Sequence, residues 1–102
     1  MDNLNELLQE SIDLLDEIYE LALKEDCEKI RVHYQTLAGN INSFCTLLLQ
    51  DNKDIVIFII RLMEAMYVAL NVGDCVNILD ISKYELQPIL VQIFEGIGGY
   101  NG

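Results

Sequence analysis

The chain has little of what loops, aromatic cages and acid–base chemistry are built from: one proline, one histidine and no tryptophan among 102 residues. Basic residues are scarce as well, six Lys and Arg against 17 Asp and Glu, for a net charge of −11. Binding to a phosphate backbone needs clustered Lys and Arg to displace counterions, so nucleic acid is not the expected partner. Anionic membrane surfaces are disfavoured for the same reason. Hydrophobic residues make up 52% of the chain, which excludes intrinsic disorder for its bulk. A chain of this length builds one core, burying roughly 60–65% of its unfolded surface.

Three cysteines (Cys27, Cys45, Cys75) are an odd count with no C-x-x-C spacing, so neither a disulfide framework nor a zinc site is indicated. Each has a plain reading as a small buried hydrophobe: Cys27 and Cys75 on apolar stripes, Cys45 beside Phe44. The opening Met-Asp-Asn-Leu-Asn-Glu is acidic where a signal peptide is basic. The most apolar stretch, Ile55 to Leu70, falls short of the roughly 20 residues that span a bilayer, and Arg61 and Glu64 interrupt it. A reduced, cytoplasmic protein is expected, with no membrane partner.

Apolar spacing predicts four helices. From Asn3 to Lys24, Leu4, Leu7, Leu8, Ile12, Leu15, Ile18, Tyr19 and Ala22 fall on one helical face. Asn3 and Glu6 read as a capping box. The other face carries Glu6, Glu10, Asp13, Asp16, Glu17 and Glu20. In the second helix Cys27, Ile30, Tyr34, Leu37, Ile41, Phe44 and Leu48 alternate in steps of three and four, a heptad seam. Asp26 suits its N-cap. Gly39 lies inside the run, and a close backbone contact or a mild bend is expected there.

Gln50 to Asp54 is a polar turn. The run that follows, Ile55 to Asn71, begins like a buried strand, but its pattern continues through Ile59, Leu62, Met66, Ala69 and Leu70, too long for one. Helix is the reading, either central in the bundle or at an oligomer interface, because it is apolar nearly all round. Gly73 suits a left-handed helix end and Asp74 the next cap. In the last helix Pro88 predicts a kink, with a break at Ser82 as the alternative. Four glycines in 95–102 predict a flexible tail, which divides the chain into a domain over 1–95 and a tail over 96–102.

Ala22-Leu23-x-x-Asp26-Cys27-x-x-Ile30 recurs as Ala69-Leu70-x-x-x-Asp74-Cys75-x-x-Ile78, an offset of 47 to 48 residues. The pattern fits an all-α, antiparallel four-helix bundle built as two helical hairpins.

His33 has Lys29, Ile30, Thr36 and Leu37 at helical spacing and so no Glu-x-x-His motif; a solvated surface histidine is expected. No residue set combines acid, base and oxyanion roles, so no catalytic, metal or cofactor site is assigned. Charge is uneven: residues 1–28 hold ten acids and one lysine, while 29–102 hold seven acids and five bases. Glu10, Asp13, Asp16, Glu17 and Glu20 are therefore candidates for docking a basic partner. Ile55, Phe58, Ile59, Leu62 and Met66 are candidates for an apolar interface.

Tyr84-Glu85-Leu86-Gln87-Pro88-Ile89-Leu90 resembles the final-helix segment of small, acidic, all-helical bacterial proteins without an assigned function. In size, charge and architecture the chain is similar to the small helical chaperones of flagellar and secretion export. That resemblance implies sequestration of an aggregation-prone helical segment and transfers no functional residue. The expectation is a non-enzymatic protein-interaction module, adaptor- or chaperone-like, with an unidentified protein partner. A self-associating protein, most simply a homodimer, is the first alternative. An acidic decoy for a basic nucleic-acid-binding protein is the second.

Overall fold

Apolar residues every three to four positions need a shared interior, and the four helices supply it to one another. The computed structural model describes residues 2–49 and 52–101, with side chains for 4–49 and 52–96. Helix α1 (Asp2–Leu23), α2 (Cys27–Leu48) and α3 (Lys53–Asn71) are followed by a fourth helical run in three parts: α4 (Cys75–Asp80), a π-helix (Ile81–Leu86) and α5 (Gln87–Asn101). The bundle measures 39 × 23 × 20 Å. Helix α1 packs against α2 on one side and the fourth run on the other, and α3 packs against α2, α4 and the π-helix. Helices α1 and α3 are therefore diagonal partners. The central position expected for α3 is not the one it takes.

The core is a column of Leu8, Leu15, Ile18, Ile30, Leu37, Phe44, Ile59, Met66, Ile78, Leu86 and Leu90. The seam of α2 faces it as the heptad spacing predicts, with Ile30, Leu37, Ile41 and Phe44 buried. Burying one such side chain contributes about 1.5–3 kcal/mol. Two polar residues, Ser11 and Ser82, are fully buried. Each hydroxyl donates back to a carbonyl of its own helical run, Leu7 at 2.7 Å and Leu79 at 3.1 Å, which removes the cost of burying it.

Both hairpin turns share one geometry. Asp26 N–H donates to Leu21 O and Glu25 N–H to Ala22 O; likewise Asp74 N–H donates to Ala69 O and Gly73 N–H to Leu70 O. This is the Schellman arrangement, with Glu25 (φ 56°) and Gly73 (φ 71°) in the left-handed position. The Asp26 carboxylate accepts from Lys29 N–H and the Asp74 carboxylate from Asn77 N–H, capping α2 and α4. The structural repeat thus has a uniform offset of 48, equating Ala22 with Leu70. The Ala-Leu identity in the sequence is one residue out of register with it.

Several local expectations change. Helix α1 begins at Asp2, so Asn3 lies in its first turn rather than before it, and the Asn3 side chain is outside the described residues. Of the polar turn, residues 50–51 are outside the described residues, and Lys53 and Asp54 already belong to α3. Gly39 makes no close contact: a Cβ built there meets nothing within 4 Å. Helical backbone runs through Ser82 without a break, and its winding changes just ahead of Pro88. Gln87 N–H bonds Ser82 O, five residues back, immediately ahead of Pro88. In a regular α-helix the proline ring presses on the carbonyl of Tyr84, and a widened turn is a known way to interrupt the ladder at such a point. The backbone of 96–101 continues α5, so helical bounds extend past the boundary that glycine content sets at residue 95.

Candidate interaction surface

The acidic stripe of α1 is exposed, and part of it is bonded to the neighbouring helices. Glu10 accepts a hydrogen bond from the Asn40 amide of α2. Glu17 Oε2 lies 2.8 Å from His33 Nε2, also on α2. On the opposite flank, Asp16 accepts from Gln87 Nε2 at 2.7 Å and pairs with Lys83 at 3.6 Å. Lys83 also sits over the Tyr19 ring, 5.3 Å from its centroid. Asp13 accepts from Gln9 of its own helix, and Glu20 is exposed. All five candidate docking carboxylates are exposed, and three of them, Glu10, Asp16 and Glu17, also bridge α1 to its neighbours.

His33 is not simply solvated. Its Nε2 faces Glu17 and its Nδ1 lies 2.9 Å from Lys29 O, within a side chain only 29% exposed. Helical spacing within α2 missed the carboxylate because it comes from the neighbouring helix.

The apolar candidates on α3 divide. Ile59, Leu62 and Met66 are buried in the bundle's own core, because their 3–4 steps follow the side of α3 that meets α2 and α4. Ile55 and Phe58 remain exposed, Phe58 by 50%. They form one wall of a groove of about 580 Å³, closed on the other side by Ile89, Gln92 and Ile93 of α5 and at its end by Leu48. Asn52 and Asp54 lie on its rim. The groove exists because α5, past the π-helix, packs on α1, leaving the first turns of α3 without a full neighbour.

A second furrow of about 540 Å³ runs between α2 and α3, lined by Tyr34, Ala38, Cys45, Ile60, Met63 and Tyr67 among others. Tyr34 spans it, donating its hydroxyl to Met63 O at 2.9 Å, and its ring lies 6.0 Å from that of Tyr67. Partial burial, then the neighbouring Tyr67 and Glu64, push the Tyr34 hydroxyl above its usual pKa. Apolar residues therefore line both edges of α3. Its own charges cancel: Lys53 and Arg61 against Asp54 and Glu64. Helix α1, diagonally opposite, holds seven acids and no base.

Among the described residues, no helix is long and apolar enough to cross a membrane. Compared with protein-family models, curated proteins and solved structures, the chain matches none.

Proposed function

We propose that the chain is a non-enzymatic, cytoplasmic protein-interaction module that receives an amphipathic helix of a protein partner in the groove between α3 and α5. The observation that carries this reading is the groove itself: two rows of apolar side chains, Ile55 and Phe58 facing Ile89 and Ile93, spaced as helix ridges are. An apolar stripe on the incoming helix fills the groove, and basic residues beside that stripe meet Asp54 and the net charge of −11. Both ring nitrogens of His33 already face protein oxygens, which supports a binding role over proton transfer. The decoy reading draws less support, since Glu10, Asp16 and Glu17 are engaged within the bundle.

A second copy of the chain is the other occupant with an observation in its favour. Helix α3 is the charge-balanced side of a strongly acidic molecule, so two copies meeting there keep their α1 helices far apart.

One pair of measurements separates these readings. A fluorescent helical peptide with a leucine stripe and flanking lysines should bind the wild type, and Phe58→Asp should weaken it at least tenfold. Raising salt from about 0.1 to 1 M shortens the Debye length from roughly 10 to 3 Å and should slow association while leaving groove binding in place. Peptide binding indifferent to Phe58→Asp would remove the groove from consideration. Light scattering decides the second copy: a mass fixed at 11.6 kDa through high micromolar concentration eliminates it.

A further inference from the structure

We propose that Cys27 and Cys75 form a redox-responsive dithiol, which closes as an intramolecular disulfide tying the α1–α2 turn to the α3–α4 turn. Their sulfurs lie 3.5 Å apart, a non-bonded contact between residues 48 positions apart in sequence. Each is the first residue of its helix, immediately after the capping aspartate, so the repeated turn geometry holds both in place. A disulfide needs about 2.05 Å, so closure brings the two sulfurs about 1.5 Å nearer. Both are free thiols and partly exposed, and the third cysteine, Cys45, is buried on α2 away from the pair. The odd count in the sequence thus resolves into a facing pair and a single core residue.

Access is available from one side. Cys75 lines a surface depression together with Ala22, Leu23, Glu25, Gly73 and Asp74. Burial, the hydrogen bond with Cys27, and the charges of Glu25 and Asp74 push the Cys75 thiol up to about 11, so Cys75 rests as the thiol and reacts through its small ionised fraction. Closure proceeds by exchange with a small-molecule disulfide such as oxidised glutathione. The Cys75 thiolate attacks one glutathione sulfur, forming a mixed disulfide and expelling one glutathione thiolate. The Cys27 thiolate then attacks the Cys75 sulfur and expels the second. One electron pair passes from the protein to glutathione, and the two thiol protons end on the two glutathione thiols released. Disulfides are rare in reducing compartments, and those that form there are usually transient and redox-sensing or catalytic. The pair lies at the end of the bundle opposite the α3–α5 groove, so this inference does not depend on what that groove binds.

The test uses the purified full chain and oxidised glutathione at pH 8. The expected product has lost two hydrogen masses, retains one thiol that alkylates after denaturation (Cys45), and yields a Cys27–Cys75 linked peptide on digestion. Its urea midpoint rises, because the cross-link restricts the unfolded chain, and dithiothreitol reverses both changes. Cys27→Ser should stop at one glutathione adduct on Cys75 with no rise in midpoint, and Cys75→Ser at no more than one adduct on Cys27. Retention of all three thiols by the wild type, two stable glutathione adducts per chain, or disulfide-linked dimers would each overturn the proposal. The wild-type mass alone decides it if either serine variant does not fold.

Discussion

Glu25 and Gly73 occupy equivalent places in the two halves of the molecule, each in the left-handed conformation that ends a helix, at φ 56° and 71°. The same pair of backbone bonds surrounds both, so the two sites differ chiefly in whether a Cβ is present. A side chain in this conformation costs roughly 1–2 kcal/mol, and glycine carries no such cost. Glu25→Gly should therefore stabilise the protein by about 1 kcal/mol. Gly73→Ala should destabilise it by a similar amount through its backbone alone, since a Cβ there meets open space. Melting temperature should move by about 4–8 °C per kcal/mol, in opposite directions for the two variants. Shifts of the same sign would mean that the two turns are not equivalent.

Gly39 yields a prediction that the sequence pattern alone would have reversed. A glycine within a heptad run reads as a point of close helix approach, where a methyl group does harm. In the structure the position is exposed and a Cβ meets nothing within 4 Å. Gly39→Ala should then gain about 0.5–1 kcal/mol from helix propensity. A loss of stability in a urea melt would restore the close contact.

What was legible in the sequence was what a single helix decides for itself. The α2 seam from Cys27 to Leu48 could be read because an amphipathic helix must repeat its apolar residues at its own period, and neither neighbour alters that. The caps at Asp26 and Asp74 could be read because they act over three residues. Features made by two helices could not. Glu17 meets His33, and Phe58 comes to line one groove with Ile93, only once the relative shift and rotation of the helices are settled. The burial of Ser11 and Ser82 could not be read either, because their partners, the carbonyls of Leu7 and Leu79, are invisible to a pattern of side-chain types. The Cys27–Cys75 contact lay between these cases. The repeat placed both cysteines at the same step of two hairpins, and pairing those hairpins brings equivalent positions together.

Leu37 is fully buried at the middle of the α2 seam, with Thr36 exposed beside it. Leu37→Ala should cost about 2–5 kcal/mol through lost transfer energy and the cavity left behind. Thr36→Ala should change stability by less than about 0.5 kcal/mol. Asn40→Ala, which removes the Glu10 bond, should fall between them at about 0.5–1.5 kcal/mol. Urea melts that gave Leu37→Ala and Thr36→Ala the same midpoint would reject the orientation of α2.

Alkaline pH should weaken the fold through its thiols. Burial pushes Cys45 from the ordinary thiol value near 9 up to about 11, and Cys75 rises as far, with burial again the largest cause. Between those values the unfolded chain gives up these protons while the folded chain keeps them. Unfolding then releases protons, and stability falls as pH rises. The contribution is fully present below about pH 9 and is lost on the way to pH 11. Tyr34, raised by burial and by Tyr67 and Glu64, acts in the same direction at higher pH. Comparison with a variant isolates the contribution of Cys45. Cys45→Ala should be less stable than wild type at pH 8, and that difference should shrink steadily through pH 9, 10 and 11 in urea melts. A difference that stayed constant would mean that Cys45 ionises as readily in the folded chain as in the unfolded one, and that its surroundings are wetter than the packing of α2 implies.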